Sequence, residues 1–168
     1  MRSKNGIKTA GNPYLNARTA SLQLFAGIEH RMETVRHWNG VEFINDSKST
    51  DIESTYYSLE LINAPITWIV GSTELETDYS HVLKFVKYKV VNLIVFGKSN
   101  DTSLFDMYSC LVDCYVKKES LNEALEFVTS KTKSGSVVLF SPACSSFDLY
   151  EDFQDRGEHY RKLVNNLK

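Results

Sequence analysis

Cysteine is scarce in this chain: Cys110, Cys114 and Cys144 are the three among 168 residues, and an odd number makes no closed disulfide framework. Cys110 and Cys114 are spaced to share a helix face, but no histidine lies near them to complete a zinc set. All three read as reduced and mostly buried, in a cytoplasmic protein. His30, His37, His81 and His159 are scattered, with no metal-ligand spacing, so no metal site is expected. The net charge of -2 argues against a general nucleic-acid binder. No run approaches the ~18 apolar residues of a membrane span. The longest, Val90-Val91-Asn92-Leu93-Ile94-Val95-Phe96, is strand-sized. There is no Gly-x-x-x-x-Gly-Lys-[Ser/Thr] phosphate loop and no Gly-x-Gly-x-x-Gly dinucleotide fingerprint. Internal repeats and low-complexity segments are also missing.

What remains is a soluble globular composition, 42% hydrophobic and 24% charged, of a length that suits one domain. Residues 1–24 read as a poorly ordered leader or the remnant of a preceding domain. Arg2, Lys4, Lys8 and Arg18 are basic there, and residues 1–20 hold no acid. Residues 18–25 have the pattern of a short helix that Gly27 would end. Asn39-Gly40 lies between two alternating runs, 32–38 and 41–44, and predicts a β-hairpin.

Helices and strands then alternate. Helices are expected over 50–61, 79–86, 103–110, 120–131 and 147–167, and strands over 66–70, 90–96, 112–116 and 136–140. Ser120 and Glu123 form a Ser-x-x-Glu capping box. The pattern implies an α/β fold: a Rossmann-like, mostly parallel sheet with helices on both faces, preceded by the hairpin.

Asn45-Asp46-Ser47-Lys48-Ser49-Thr50 places an acid, a base and hydroxyls on a strand-to-helix turn. In open α/β sheets ligands bind at such turns, beyond the carboxyl ends of strands. The plain alternative is that Ser49 or Thr50 caps the helix and Lys48 is solvated. Ser141-Pro142-Ala143-Cys144-Ser145-Ser146-Phe147-Asp148 is a second such turn, suited to a carboxylate or phosphate, or else capped by Ser145 or Ser146. Gly71-Ser72-Thr73-Glu74 ends a third strand. Cys144 as a nucleophile is weighed against a small core thiol, since nothing in sequence pairs it with a base. Arg31 reads either as a phosphate clamp or as a charge paired with Glu29 or Glu33.

Four segments in order resemble one family. They are Gly27-Ile28-Glu29-His30-Arg31-Met32-Glu33, Phe43-Ile44-Asn45-Asp46-Ser47-Lys48-Ser49-Thr50, Leu139-Phe140-Ser141-Pro142-Ala143-Cys144-Ser145-Ser146-Phe147-Asp148 and Phe153-Gln154-Asp155-Arg156-Gly157. Residues 25–168 resemble the C-terminal, amino-acid-binding domain of the Mur ligases, in the branch that adds D-glutamate.

The resemblance implies an ATP-dependent acid–amino-acid ligase of peptidoglycan precursor synthesis, and so of cell-wall biogenesis, cell shape and division. ATP phosphorylates a carboxylate of a UDP-linked muramoyl precursor, and the amine of D-glutamate or a related amino acid attacks the acyl phosphate. ATP and Mg2+ would be held mainly by a central domain that does not match this chain, so the chain alone is expected to be inactive. Arg31 would contact ATP phosphate and Asp46 the ribose. Lys48 would lie near the phosphates, with a catalytic part. Thr50 would contact the amino acid, Ser146 and Phe147 would hold its carboxylate, and Phe153 would lie beside it. The sequence departs from the family at Leu75, where a lysine is usual, and at Asp51, where asparagine is usual. Glu74 and Glu76 flank Leu75, which disfavours an acidic amino acid at that corner. The other reading kept open is a diverged, non-catalytic nucleotide- or protein-binding module of the same fold.

Overall fold

The computed structural model describes residues 27–72 and 77–168. The leader, the short helix expected over 18–25, and Leu75 with its flanking glutamates lie outside the described residues.

The hairpin forms as the dipeptide dictates. Strand β1 (Glu33–Trp38) pairs antiparallel with β2 (Val41–Asn45). Asn39 and Gly40 between them take φ +52° and +76°, the left-handed pair that a tight twisted hairpin requires. Helix α1 (Ile52–Leu61) follows, and Pro65 precedes β3 (Ile66–Gly71). A 3-10 turn (Tyr79–Val82) leads into α2 (Leu83–Lys89) and β4 (Val90–Phe96). Then come α3 (Ser103–Tyr108), β5 (Cys114–Lys118), α4 (Leu121–Lys131), β6 (Val137–Phe140) and α5 (Phe153–Asn165).

The six strands lie in the order β1-β2-β6-β3-β4-β5, parallel from β2 onward. Side chains alternate between two apolar layers, as the period of a strand demands. Trp68, Val70, Leu93, Val95 and Leu139 face α1, α2 and α3; Ile69, Ile94, Phe96, Val138 and Phe140 face α4 and α5. Burying each such side chain contributes roughly 1.5–3 kcal/mol. Trp68 is fully buried, and its indole N–H donates to the Ser141 carbonyl at 2.8 Å, so its one polar atom is not left orphaned. Among the described residues no helix is long and apolar enough to cross a membrane.

Several local expectations shift. Helix α1 is capped by Asp51, which accepts from the Ser54 N–H at 2.7 Å, and not by Ser49 or Thr50. The Ser49 hydroxyl is committed elsewhere, donating to Asp46 at 2.6 Å. The last helix begins at Phe153 instead of 147. Asp152 caps it by accepting from the Asp155 N–H at 2.8 Å, and the preceding segment turns back on itself, with the Leu149 and Tyr150 N–H groups both donating to the Ser146 carbonyl. A carboxylate at the cap also suits the positive end of the helix. Helix 79–86 divides into the 3-10 turn and α2. Strand β5 starts two residues later than expected, so Cys110 and Cys114 do not share a helix. Nor are the thiols mostly buried: Cys110 is exposed, Cys114 and Cys144 half-buried, and all three unbridged.

Candidate functional site

The parallel pairing of β2, β6, β3 and β4 brings their carboxyl ends to one rim. Three loops interlock there. The Asp46 N–H donates to the Phe140 carbonyl (2.8 Å), the Ala143 N–H to the Ser49 carbonyl (3.1 Å), and the Gly71 N–H to the Pro142 carbonyl (2.9 Å). The chain leaves β3 toward the layer of α1, α2 and α3, but leaves β6 toward α5 in the opposite layer. A crevice opens where crossovers diverge to opposite faces. The structure has a cleft at that place, of about 500 Å³, walled by the ends of β3 and β4 and by the loop after β6, with Ser72, Lys98, Ser146 and Tyr150 on its walls and Arg156 also lining it.

Arg156, from α5, binds this rim together. It is 1% exposed. Its Nε donates to Ser47 Oγ (3.0 Å), one terminal nitrogen to the Ser47 carbonyl (2.8 Å), and the other to the carbonyls of Cys144 (3.0 Å) and Ser145 (3.1 Å). Burial lowers its pKa, yet a guanidinium in a protein stays charged. It makes no ion pair with a carboxylate among the described residues. Sequence reasoning placed Arg156 in a motif without giving it a task; one of its partners, Ser47, lies 109 residues away, and local pattern carries no sign of it.

Asp46 lies beneath the rim and is fully buried. One carboxylate oxygen accepts from the hydroxyls of Ser49 (2.6 Å), Ser58 (2.6 Å) and Ser141 (2.8 Å), the other from the Met32 N–H (3.2 Å). Desolvation pushes its pKa up while these hydrogen bonds pull it down, and desolvation prevails. Asp46, to which the resemblance assigns the ribose contact, thus has both oxygens engaged inside the protein in this structure.

The other singled-out residues divide into groups. Lys48 is half-buried, and its Nζ lies 5.5 Å from the Phe153 ring centroid, so these two come together. Thr50 is exposed beside them in sequence. Ser146 is buried and lines the cleft, while Phe147 projects into solvent, 77% exposed. The Phe147 N–H makes a long 3.4 Å contact to Ser145 Oγ. Arg31 is half-buried just before β1, next to Met32, whose N–H donates to Asp46, and is not among the residues lining the cleft. Glu29 and Glu33 are ion-paired with Arg161 of α5, at 3.1 and 3.0 Å.

Cys144 also lines the cleft, and its Sγ would be 2.2 Å from a Cβ added at Gly71, a close approach that only glycine permits. Burial raises the thiol's pKa against the opposing pull of Arg156, which does not suit a nucleophile. Among the described residues no three His, Cys, Asp or Glu side chains converge where a metal ion could sit.

A doubly wound sheet with a cleft at its divergence point defines a Rossmann-like domain. No protein-family model matches the sequence. The UDP-N-acetylmuramoylalanine--D-glutamate ligase of Christiangramia forsetii is 37% identical over 147 residues, covering 88% of this chain and 33% of that protein. The ligase of the same name from Cytophaga hutchinsonii is 37% identical over 148 residues, again 88% of this chain and 33% of the relative. Among solved structures, a murein peptide ligase from Psychrobacter arcticus superposes with a TM-score of 0.55 at 14% identity, over 89% of this chain and 32% of that one. MurF ligase from Thermotoga maritima, in complex with ADP, gives 0.54 at 16% identity over 83% of this chain and 32% of that one. The structural matches establish the fold. The sequence matches establish descent: the chain belongs to the Mur ligase family, as the counterpart of its C-terminal domain. It spans about a third of the length of the curated relatives it matches.

Proposed function

We propose that residues 25–168 form the amino-acid-binding C-terminal domain of an ATP-dependent ligase that adds D-glutamate to UDP-N-acetylmuramoyl-L-alanine in the cytoplasm. The observation that carries this reading is the cleft at the divergence of β3 and β6, lined by Ser146 and Arg156, in a chain 37% identical to ligases of that name. Those shared names favour a ligase over a non-catalytic module.

In this reading the Ser146 hydroxyl and the Phe147 N–H hold a carboxylate of the amino acid. Hydroxyl and amide donors in a half-enclosed cleft act more strongly than in water. Phe153 and Lys48 form one wall of the neighbouring surface, with Thr50 at its edge. Lys48 and Arg31 face the phosphates, where fixed cations offset the charge of the transferring group. ATP, when bound, supplies the phosphoryl group that activates the acceptor carboxylate. Asp46 orients the loop carrying Lys48 without touching nucleotide, through its four internal donors. We place Mg2+ with the ATP phosphates, both held mainly by a central domain that does not match this chain.

Calorimetric titration of the chain tests the reading. D-glutamate should bind at millimolar concentrations, and S146A should weaken it. Failure of D-glutamate to bind at all would overturn the assignment. ATP-dependent amide formation by the chain alone, given every substrate, is expected to be undetectable because the chain carries no phosphate loop; robust turnover would defeat that expectation.

A further inference from the structure

The inference rests on the reading of the cleft as an amino-acid site and concerns which side chain reads the ligand's acidity. Of the charged residues on the cleft walls, Arg156 and Lys98 are cations and Asp148 is the acid. The two cations are not equivalent. Arg156 is buried, with its donors directed to Ser47, Cys144 and Ser145. Lys98 is exposed on the rim after β4 and makes no hydrogen bond or ion pair with any described residue. Its ammonium therefore keeps three donors that no described residue engages, on a residue that lines the cleft.

The backbone on either side of Lys98 is held in place. Gly97 takes φ +125°, and its N–H donates to the Lys118 carbonyl at 3.0 Å. Ser99 is buried; its carbonyl accepts from Lys117 Nζ, and its hydroxyl accepts from the Asp101 N–H at 3.1 Å. The turn thus fixes where the Lys98 side chain starts. Beside it, Ser72 Oγ is buried with no hydrogen-bond partner among the described residues, close enough that a Cβ at Gly97 would approach it to 2.6 Å. A buried hydroxyl without a partner carries a desolvation cost that a ligand acceptor would relieve.

We propose that Lys98, seconded by the Ser72 hydroxyl, forms the carboxylate-recognising pole of the cleft and sets its preference for a dicarboxylic amino acid. The cleft's lining charge of one net positive unit complements the one net negative charge of such a ligand and not the zero net charge of its monoamides. In sequence, the residues that follow β3, Ser72-Thr73-Glu74-Leu75-Glu76, carry charge only of the opposite sign.

The test is titration of the chain and of K98Q with D-glutamate, D-glutamine and D-isoglutamine. K98Q should bind D-glutamate about tenfold more weakly, the order expected for losing a charge-assisted hydrogen bond. It should also lose the wild-type preference for D-glutamate over one of the two monoamides, and K98R should restore most of both. Unaltered affinity and preference in K98Q, with wild type binding D-glutamate, would overturn this inference and leave the amino-acid site standing. Absence of binding of any of the three to the wild type would overturn both. Because Lys98 is exposed and unbonded, its replacement is not expected to disturb folding, which circular dichroism checks.

Discussion

The imidazole of His30 lies flat against the backbone of α5 at Gly157, so close that a Cβ built on Gly157 would come within 2.4 Å of Nδ1. His30 is buried, and its Nδ1 is 2.9 Å from the Asn45 amide, which also donates to the Gly157 carbonyl at 3.1 Å. The first and last of the family-like segments therefore meet in space. Alanine in place of a helical glycine ordinarily stabilises by about 0.5–1 kcal/mol. Here Gly157→Ala should destabilise by about 1–3 kcal/mol, because the histidine ring has to be displaced. Urea unfolding of G157A measures this, and His30→Ala in the same background should recover part of the loss.

Asp46 gives a pH signature. Its carboxyl is raised above the ordinary 3.8 by burial, so the folded chain holds that proton more tightly than the unfolded chain does. Its contribution to stability is fully present below 3.8 and is lost as pH rises through the folded value. Asn at this position does not titrate. The stability of wild type relative to Asp46→Asn should therefore fall as pH is raised through that acid window and be level above it. Unfolding series at stepped pH would read this, and a difference that climbs with pH would reverse the sign.

Removing Arg156 should loosen two loops together. Arg156→Met strips donors from the carbonyls of Ser47, Cys144 and Ser145 and should cost about 3 kcal/mol, with Arg156→Lys intermediate because an ammonium cannot reproduce the fork. Amide hydrogen exchange should quicken in both 45–50 and 141–148. Faster exchange in only one of them would mean that the loops are not tied through this side chain.

Thiol reactivity separates a cleft-wall cysteine from a nucleophile. Cys144, its pKa raised by burial, should alkylate more slowly than exposed Cys110 at neutral pH. Peptide mapping after brief iodoacetamide treatment would show Cys110 labelled first; preferential labelling of Cys144 would restore it as a candidate nucleophile.

The sequence announced those features whose cause is local. Asn39-Gly40 fixes its hairpin through the φ values of two residues, and Ser120 caps α4 by accepting from Glu123, three positions on. The alternating apolar runs likewise define the central strands. Where hydroxyls and carboxylates compete, local pattern misleads. Ser49 and Ser146 resemble caps, yet Ser49 serves Asp46, Ser146 lines the cleft, and Asp51 and Asp152 do the capping. The roles of Arg156, of Asp46 as an internal anchor, and of Gly157 beneath His30 depend on contacts between distant segments. No short window along the chain contains Arg156 with Ser47, Asp46 with Ser141 or Gly157 with His30.

The position of β6 between β2 and β3 has a consequence for how the chain assembles. Its late-synthesised strand supplies hydrogen-bonding partners to both of its earlier neighbours at once, so until residue 137 onward is available the sheet has a gap at its centre. The hairpin and the β3–β4–β5 half would wait as separate pieces with open edges, joined only by a closure of high sequence separation, which is slow. The rim loops gather at this same seam, so the cleft cannot exist in any half-assembled state: ligand competence and completion of the sheet are a single event.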